Sequence, residues 1–385
     1  MDKAVIAGFA RTPFTFARKG ALARFRPDDL AAIALRGLIE KSGISYEYIE
    51  DVLMGCAYPE GEQGNNIARI ASLLAGFPVE VPGATLNRFC GSSMSSIHVA
   101  AGQIAIGAGE AFIAAGVESM TRVPQGGLNF SPNPRFKSAG NSLAEIQHEA
   151  YITMGATAEN VAKRYGIGRE RQEQLALESQ QKAARAQAEG RLAAEIVPVV
   201  TPEGLIDVDG CLRPQTTLEA LAGLKPAFFD DGTVTAGTAS PLTDGAVAVL
   251  VTSERMADRL GLDALGRVRA TAVAGVEPEY MGIGPVPATR KALERAGLSI
   301  GDIDVVEINE AFGSQAVACL DELGIDRDRV NIDGGAIALG HPLGATGARI
   351  TAKAAQILKR EGGKYALATQ CIGGGQGIAT IIEQI

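Results

Sequence analysis

Two cysteines, a histidine and an asparagine have the types and surroundings to do covalent chemistry in this chain. Cys90 lies in Asn87-Arg88-Phe89-Cys90-Gly91-Ser92-Ser93, where a short apolar strand meets a turn of small residues and then a helix through Ile97 to Ala101. A thiol at a helix start faces the positive end of the helix dipole and free backbone N–H groups, which favour the thiolate. A buried structural cysteine is favoured about two to one for any cysteine seen alone; the elbow position reverses those odds. His341 stands in Gly340-His341-Pro342-Leu343-Gly344, a loop of glycines and small residues where nothing in a core needs an imidazole. Beside a cysteine it could take the thiol proton. A loop-rigidifying role is the alternative, and it is the preferred one for the other two histidines, His98 and His148. Cys371 follows the apolar strand Tyr365 to Ala368 and precedes Gly373-Gly374-Gly375, whose backbone N–H groups could converge on a developing oxyanion. Asn309 and Glu310 also follow an apolar strand, Asn309 offering an amide donor or, more simply, a helix N-cap.

The elements that must position these residues repeat. Leu35 to Met54 aligns with Thr289 to Ile308, with Gly43 over Gly297; both read as helix, glycine stop, short loop and apolar strand. Ala101 to Ala115 similarly resembles Ala354 to Ala368. Alternating helices and fully apolar strands predict α/β architecture, two related halves in a layered sandwich with parallel sheets covered by helices on both faces. Between the halves, Ser119 to Asp244 is rich in Pro, Gly, Asn, Gln and Arg, with a helical stretch over Thr157 to Gly190 broken at Gly166-Ile167-Gly168 and few strand signals. It reads as an inserted, partly helical subdomain at a strand end, the place where α/β folds build substrate sites.

At 385 residues the chain exceeds what one core supports, so more than one packed unit is expected. A net charge of -8 with scattered lysines and arginines argues against nucleic acid, yet leaves room for an anionic cofactor held by a local basic set. Five widely separated cysteines, Cys56, Cys90, Cys211, Cys319 and Cys371, make a disulfide framework a poor reading and point to a reducing cytoplasm. The N-terminus enters an apolar run at once, which predicts no signal or transit peptide, and no uncharged apolar run is long enough for a membrane span.

The segments NRFCGSS, INEAFGSQA, GGAIALGHPLGATGARI and CIGGGQG, in this order and at these distances, resemble the thiolase family over essentially the whole chain. The resemblance implies an αβαβα sandwich with an N-terminal half at 1–118 plus 245–268, an inserted loop domain at 119–244 that covers coenzyme A, and a C-terminal half at 269–385. It implies that Cys90 attacks a thioester and becomes acylated, that His341 activates it, and that Cys371 moves the proton at the α-carbon. One oxyanion hole would comprise His341 and a water held by Asn309, the other the N–H groups of Cys90 and Gly373. Coenzyme A would be a substrate, with no metal and no tightly bound cofactor, contacted by Met154, Arg213, Phe228, Ala236, Gly237, Ser240, Met281, Ala311 and Phe312.

Two departures bear on substrate. Thr153 stands where short-chain biosynthetic thiolases usually have histidine, and Thr238 where they usually have asparagine. SQQKAARAQ (179–187), RPQTTLEAL (213–221) and KPAF (225–228) are more similar to degradative 3-ketoacyl-CoA thiolases. The expectation is therefore ping-pong thiolysis of 3-ketoacyl-CoA. The alternatives are acetoacetyl-CoA condensation, a decarboxylating ketosynthase, against which Cys371 argues, and an inactive coenzyme A or lipid-binding subunit. The resemblance also implies a homodimer or homotetramer, with a β-oxidation multifunctional subunit as a further candidate partner.

Overall fold

The computed structural model describes residues 2–138, 140, 141 and 143–385. Its main sheet has ten strands: β1 (Ala4–Arg11), β2 (Thr15–Phe16), β3 (Asp51–Gly55), β4 (Gly83–Leu86), β5 (Ala111–Ser119), β8 (Thr243–Ser253), β9 (Gly266–Gly275), β10 (Val305–Ile308), β11 (Tyr365–Ile372) and β12 (Gln376–Glu383). Their order is β10-β11-β12-β9-β1-β8-β5-β3-β4, with β2 on β8. The helices are α1 (Pro27–Ser42), α2 (Ile67–Leu74), α3 (Ser92–Ala105), α4 (Met154–Tyr165), α5 (Arg169–Ala188), α6 (Leu218–Ala222), α7 (Glu254–Leu260), α8 (Pro285–Ala296), α9 (Gly313–Leu323), α10 (Ala336–Leu339) and α11 (Leu343–Glu361).

The expectation of parallel sheets holds only toward the two ends. There β3 runs parallel to β4 and β5, and β10 to β11. The middle is antiparallel: β11 with β12, β12 with β9, β9 with β1, β1 with β8 and β8 with β5. β11 and β12 are joined by three glycines in a hairpin, which cannot make a parallel pair. The apolar runs reported burial on both faces, and that requirement is the same for either direction.

Alternate residues of one strand enter different cores. On β8, Ala246, Ala248 and Leu250 face α1 and α2, while Val247, Val249 and Val251 face α3 and α11. On β11, Ala366 and Ala368 join that same inner core, while Leu367 turns outward to α8 and α9. The period of two along each strand thus builds five layers, outer helices, sheet, α3 with α11, sheet, outer helices. The repeat is visible in the stops: α1 ends at Gly43 (φ 67°) and α8 at Gly297 (φ 70°), both in the left-handed region that glycine enters without strain.

Lying between the two sheet portions, α11 is buried along nearly its whole length. Close passage there requires small residues. A Cβ on Gly347 would sit 2.6 Å from the Met94 backbone nitrogen on α3, and one on Gly116 of β5 would collide with the Gly344 carbonyl.

The segment between β5 and β8 carries α4, α5, α6 and a hairpin of β6 (Val199–Thr201) and β7 (Gly204–Ile206). The predicted helical stretch divides where its glycines lie, α4 ending at Gly166 (φ 65°) and α5 beginning after Gly168. This segment is clamped to β1 by Arg11, which donates to Asp209 at 2.6 and 2.7 Å and to Glu195 at 2.9 Å, all three buried. A buried ion pair of this kind contributes more to specifying one arrangement than to net stability, because each charge loses its hydration.

Candidate active site

Cys90 sits between β4 and α3. Phe89 before it adopts a left-handed backbone (φ 43°), unusual for a residue with a side chain. Local bonds hold that turn: the Asn87 side chain accepts from the Phe89 N–H at 2.9 Å, the Ser92 hydroxyl donates to the Phe89 carbonyl at 2.6 Å, and Ser92 Oγ accepts from the Arg88 N–H at 2.9 Å. Gly91 lets the elbow pack closely on β11, since a Cβ there would lie 2.5 Å from Ile372 Cδ1 and push that side chain aside. The Gln370 amide on β11 donates to the Cys90 carbonyl, tying the elbow to the opposite sheet portion. The thiol packs with Ala17, Ala57, Met120 and Leu343, beside Tyr58.

The thiol differs from the sequence expectation. Burial pushes Cys90 up to about 11, although N–H groups of Gly373 and of Cys90 itself stabilise the thiolate. The helix start is present, but removal of water from the sulfur outweighs it. Cys371, at the end of β11 opposite Gly377, is fully buried and is pushed further up, first by burial and then by the negative charge a Cys90 thiolate would carry. A charge on the Cys90 sulfur is thus felt at Cys371, and burial favours the thiol form of both at neutral pH.

His341 is 4% exposed and burial pushes it down to about 4, so the ring is neutral. Its Nδ1 lies 2.6 Å from Thr346 Oγ1, and that hydroxyl donates to the Pro342 carbonyl at 3.0 Å. With its proton so engaged, Thr346 accepts, which assigns the ring proton to Nδ1 and leaves Nε2 a lone pair. Asn309 Nδ2 donates toward that Nε2 at 3.3 Å. Asn309 is not the N-cap of α9, which begins at Gly313; its N–H donates to the Thr369 carbonyl at 3.0 Å, continuing the β10–β11 ladder past Ile308. Its Oδ1 is buried without a partner, an acceptor available to a water. Glu310 turns away, its carboxylate accepting from Ser179, Asn331 and the Ile337 N–H. It fastens α5 to the loop before His341. The other histidines are structural: His98 Nε2 is 2.8 Å from Thr380 Oγ1, with burial holding the ring at about 3, and exposed His148 pairs with Glu279 at 3.5 Å.

His341 and Asn309 are thus in direct contact. Cys90 shares a buried cluster with Leu343, two residues after His341; the Gly373 N–H faces its sulfur, and a charge on that sulfur is felt at Cys371. Of the proposed coenzyme A positions, Met154, Met281, Ala311 and Phe312 gather around Cys371. Met154 Sδ lies 3.5 Å from where a Gly373 Cβ would be. Phe228 meets Phe312 edge to face at 5.9 Å, and Ser240 donates twice to the Ala311 carbonyl, at 3.0 and 3.1 Å. Gly237 packs against Leu221, and Ala236 is exposed beside it. Arg213 makes its contacts elsewhere, its guanidinium 5.1 Å above the Phe16 ring and its N–H on Gln180. Thr153 is the N-cap position of α4, and buried Thr238 closes its own loop by accepting from the Thr235 N–H at 2.9 Å.

Sequence reasoning missed Thr346, the partner of His341; Thr243, whose hydroxyl accepts from the His341 N–H at 3.0 Å; and Glu118, a charged residue next to last in an otherwise apolar strand. The last carried a readable signal. The two threonines carried none, because hydroxyl partners depend on how loops fold together.

The thiolase N-terminal domain description matches residues 4–255 and the thiolase C-terminal domain description residues 262–384. Over the full length of both proteins the chain is 48% identical to a 3-ketoacyl-CoA thiolase of Bacillus subtilis (strain 168). It is 49% identical, again over both full lengths, to a 3-oxoadipyl-CoA/3-oxo-5,6-dehydrosuberyl-CoA thiolase of Escherichia coli (strain K12). The crystal structure of human mitochondrial 3-ketoacyl-CoA thiolase superposes with a TM-score of 0.90 at 39% identity, covering 100% of this chain and 99% of that one. Two buried thiols, a neutral imidazole and its asparagine, carried by a repeated α/β frame whose halves match both family descriptions, make this chain a member of the thiolase family.

Proposed function

We propose that the chain cleaves 3-ketoacyl-CoA with coenzyme A to acetyl-CoA and a shortened acyl-CoA, through an acyl-Cys90 intermediate. The observation that carries this reading is the neutral His341 imidazole, oriented by Thr346, in contact with Asn309 and two residues from Leu343, which shares a buried cluster with Cys90. In the first half-reaction the Cys90 proton passes to His341 Nε2 as sulfur attacks the 3-keto carbon. The C2–C3 bond breaks, its electrons forming the acetyl-CoA enolate, and the Cys371 thiol protonates the α-carbon. In the second, coenzyme A gives its thiol proton to the Cys371 thiolate and attacks the acyl-Cys90 thioester; Cys90 leaves and recovers its proton from His341.

The Cys90 and Gly373 N–H groups turn toward the sulfur, where they would also reach the carbonyl oxygen of a bound acyl group. Asn309, with its free Oδ1, would hold the water that shares enolate stabilisation with His341. The pantetheine arm would pass between Met154, Met281, Phe312 and Ser240, with Phe228 above and Ala236, Gly237 and Ala311 along it; Arg213 lies apart and would meet only a distal group. The repeat of α1, α3 and β5 in α8, α11 and β11 supports two halves with an insertion, although the bounds expected at 118/119, 244/245 and 268/269 each fall inside a strand, β5, β8 and β9. No helix among the described residues is long and apolar enough to cross a membrane. Five free cysteines favour the cytoplasm, and a homodimer or homotetramer, checked by light scattering, is the assembly we assign.

Cys371→Ala tests the division of labour. Acylation of Cys90 by an acyl-CoA should slow but persist, because a thiolate can leave without being protonated, while carbon–carbon cleavage, whose enolate needs the proton, falls by about a hundredfold or more, the usual size of a lost proton-transfer group. Equal survival of both would refute the role of Cys371. Comparing acetoacetyl-CoA with 3-ketohexadecanoyl-CoA tests the substrate: a strong preference for the former would replace thiolysis of longer chains with the short-chain alternative.

A further inference from the structure

Glu118 is the penultimate residue of β5 and is fully buried. Its Oε2 accepts from the Ala57 N–H at 2.8 Å and the Gly344 N–H at 2.9 Å; its Oε1 accepts from Gln63 Nε2 at 2.8 Å and the Tyr58 N–H at 3.3 Å, with the Cys56 thiol 3.8 Å away. The four nitrogen partners only donate, so they match an ionised carboxylate; a protonated one would need an acceptor. Burial pushes Glu118 up, and the same donors pull it back.

These donors come from the turn after β3 and from the first turn of α11. Ala57, itself one of the donors, and Leu343, next to Gly344, share the buried cluster of Cys90, and Gly344 follows His341 by three residues. The Gly344 N–H belongs to the free donors at the start of a 19-residue helix. A Cβ at that position would lie 2.8 Å from Glu118 Oε2, so the approach is built for glycine. The carboxylate also acts at a distance, its charge disfavouring the Cys90 thiolate.

We propose that Glu118 is a positioning residue for acyl transfer at Cys90: one ionised carboxylate fastens the two walls of the thiol pocket, Ala57-Tyr58 and the His341–Gly344 turn, and sets a fixed negative charge behind the sulfur. The proposal rests on Cys90 being the nucleophile. With that charge in place the sulfur stays protonated until attack draws the proton to His341, and the neutral thioester that follows no longer feels the repulsion.

Glu118→Gln keeps the shape and removes the charge; Glu118→Asp keeps the charge and shortens the reach. The readouts are kcat and KM for thiolysis, and the pH dependence of Cys90 alkylation by iodoacetamide, with Cys90→Ser as background for the other cysteines. Glu118→Gln should move the alkylation midpoint to lower pH and lower kcat by about tenfold to a hundredfold, the cost of slightly misplaced reacting groups, with KM little changed. Glu118→Asp should lower kcat and leave the alkylation midpoint in place. A wild-type midpoint in Glu118→Gln, wild-type kcat in Glu118→Asp, or failure of both variants to fold overturns the proposal, the last by reducing Glu118 to a structural staple. If the wild-type protein shows no thiolysis, the functional reading falls by itself, and the alkylation midpoints still report on Glu118.

Discussion

At the scale of single residues, burial holds the candidate reactive groups in their neutral forms. Burial sets Cys90 at about 11 and His341 at about 4, so neither is charged near pH 7, and a proton crosses only when the transition state makes both changes favourable together. That places unusual weight on the orientation of the ring, which Thr346 alone supplies at Nδ1. Thr346→Val, similar in volume, removes the acceptor. The rate of Cys90 acylation in a single turnover should fall about tenfold to a hundredfold while substrate binding is retained, since a mis-set tautomer forfeits part of what a general base contributes. An unchanged acylation rate would show that the imidazole is oriented by something else.

At the scale of elements, α3 and α11 bring the chemistry together because they pass each other closely. Cys90 precedes α3, His341 precedes α11, and small residues let the helices approach inside two covering sheet portions. Gly347→Ala adds a Cβ 2.6 Å from the Met94 nitrogen, a backbone atom that cannot swing aside. Overpacking of that sort costs about 1–3 kcal/mol. The urea midpoint should fall accordingly and thiolysis should drop with it; a variant as stable and active as the parent would mean the helices have slack there. These glycines stood plainly in the motif GGAIALGHPLGATGARI, but their purpose did not. Spacing marks a glycine as permissive, while only the neighbouring helix shows which one is required.

At the scale of the whole molecule, buried ionisable groups couple stability to pH in two opposing ways. His341 is held at about 4, so the unfolded chain takes up a proton at this ring that the folded one refuses; the stability this contributes is present above about pH 6.5 and is lost as the pH falls toward about 4. Glu307 on β10 is buried 3.9 Å from Arg349 of α11 and is pushed up to about 8, with desolvation outweighing the cation. The folded state keeps its proton where the unfolded state has lost it, so its contribution is present at low pH and disappears as the pH rises from about 4.5 toward 8. Glu307→Gln should therefore match the parent near pH 4, where both states of the parent carry the proton, and exceed it at pH 9 by on the order of a few kcal/mol, read from urea unfolding at both values. Parity at pH 9 would show that Glu307 ionises there without cost.

The sequence by itself determined the two-half frame, through the matching helix stops at Gly43 and Gly297, and it singled out the candidate reactive residues, because Cys90, His341, Asn309 and Cys371 each stand at the end of an apolar strand or in a glycine loop. Such features are local, set by periodicity and by what glycine permits. Only the tertiary structure decided that the central strands run antiparallel, that Cys90 rests as a thiol, that Asn309 contacts the imidazole instead of capping a helix, and that Glu118 gathers the loops on both sides of the thiol. Each of those depends on long-range burial and on partners far apart in the chain, Glu118 and Gly344 being separated by 226 positions, and desolvation has no signature in the order of residues.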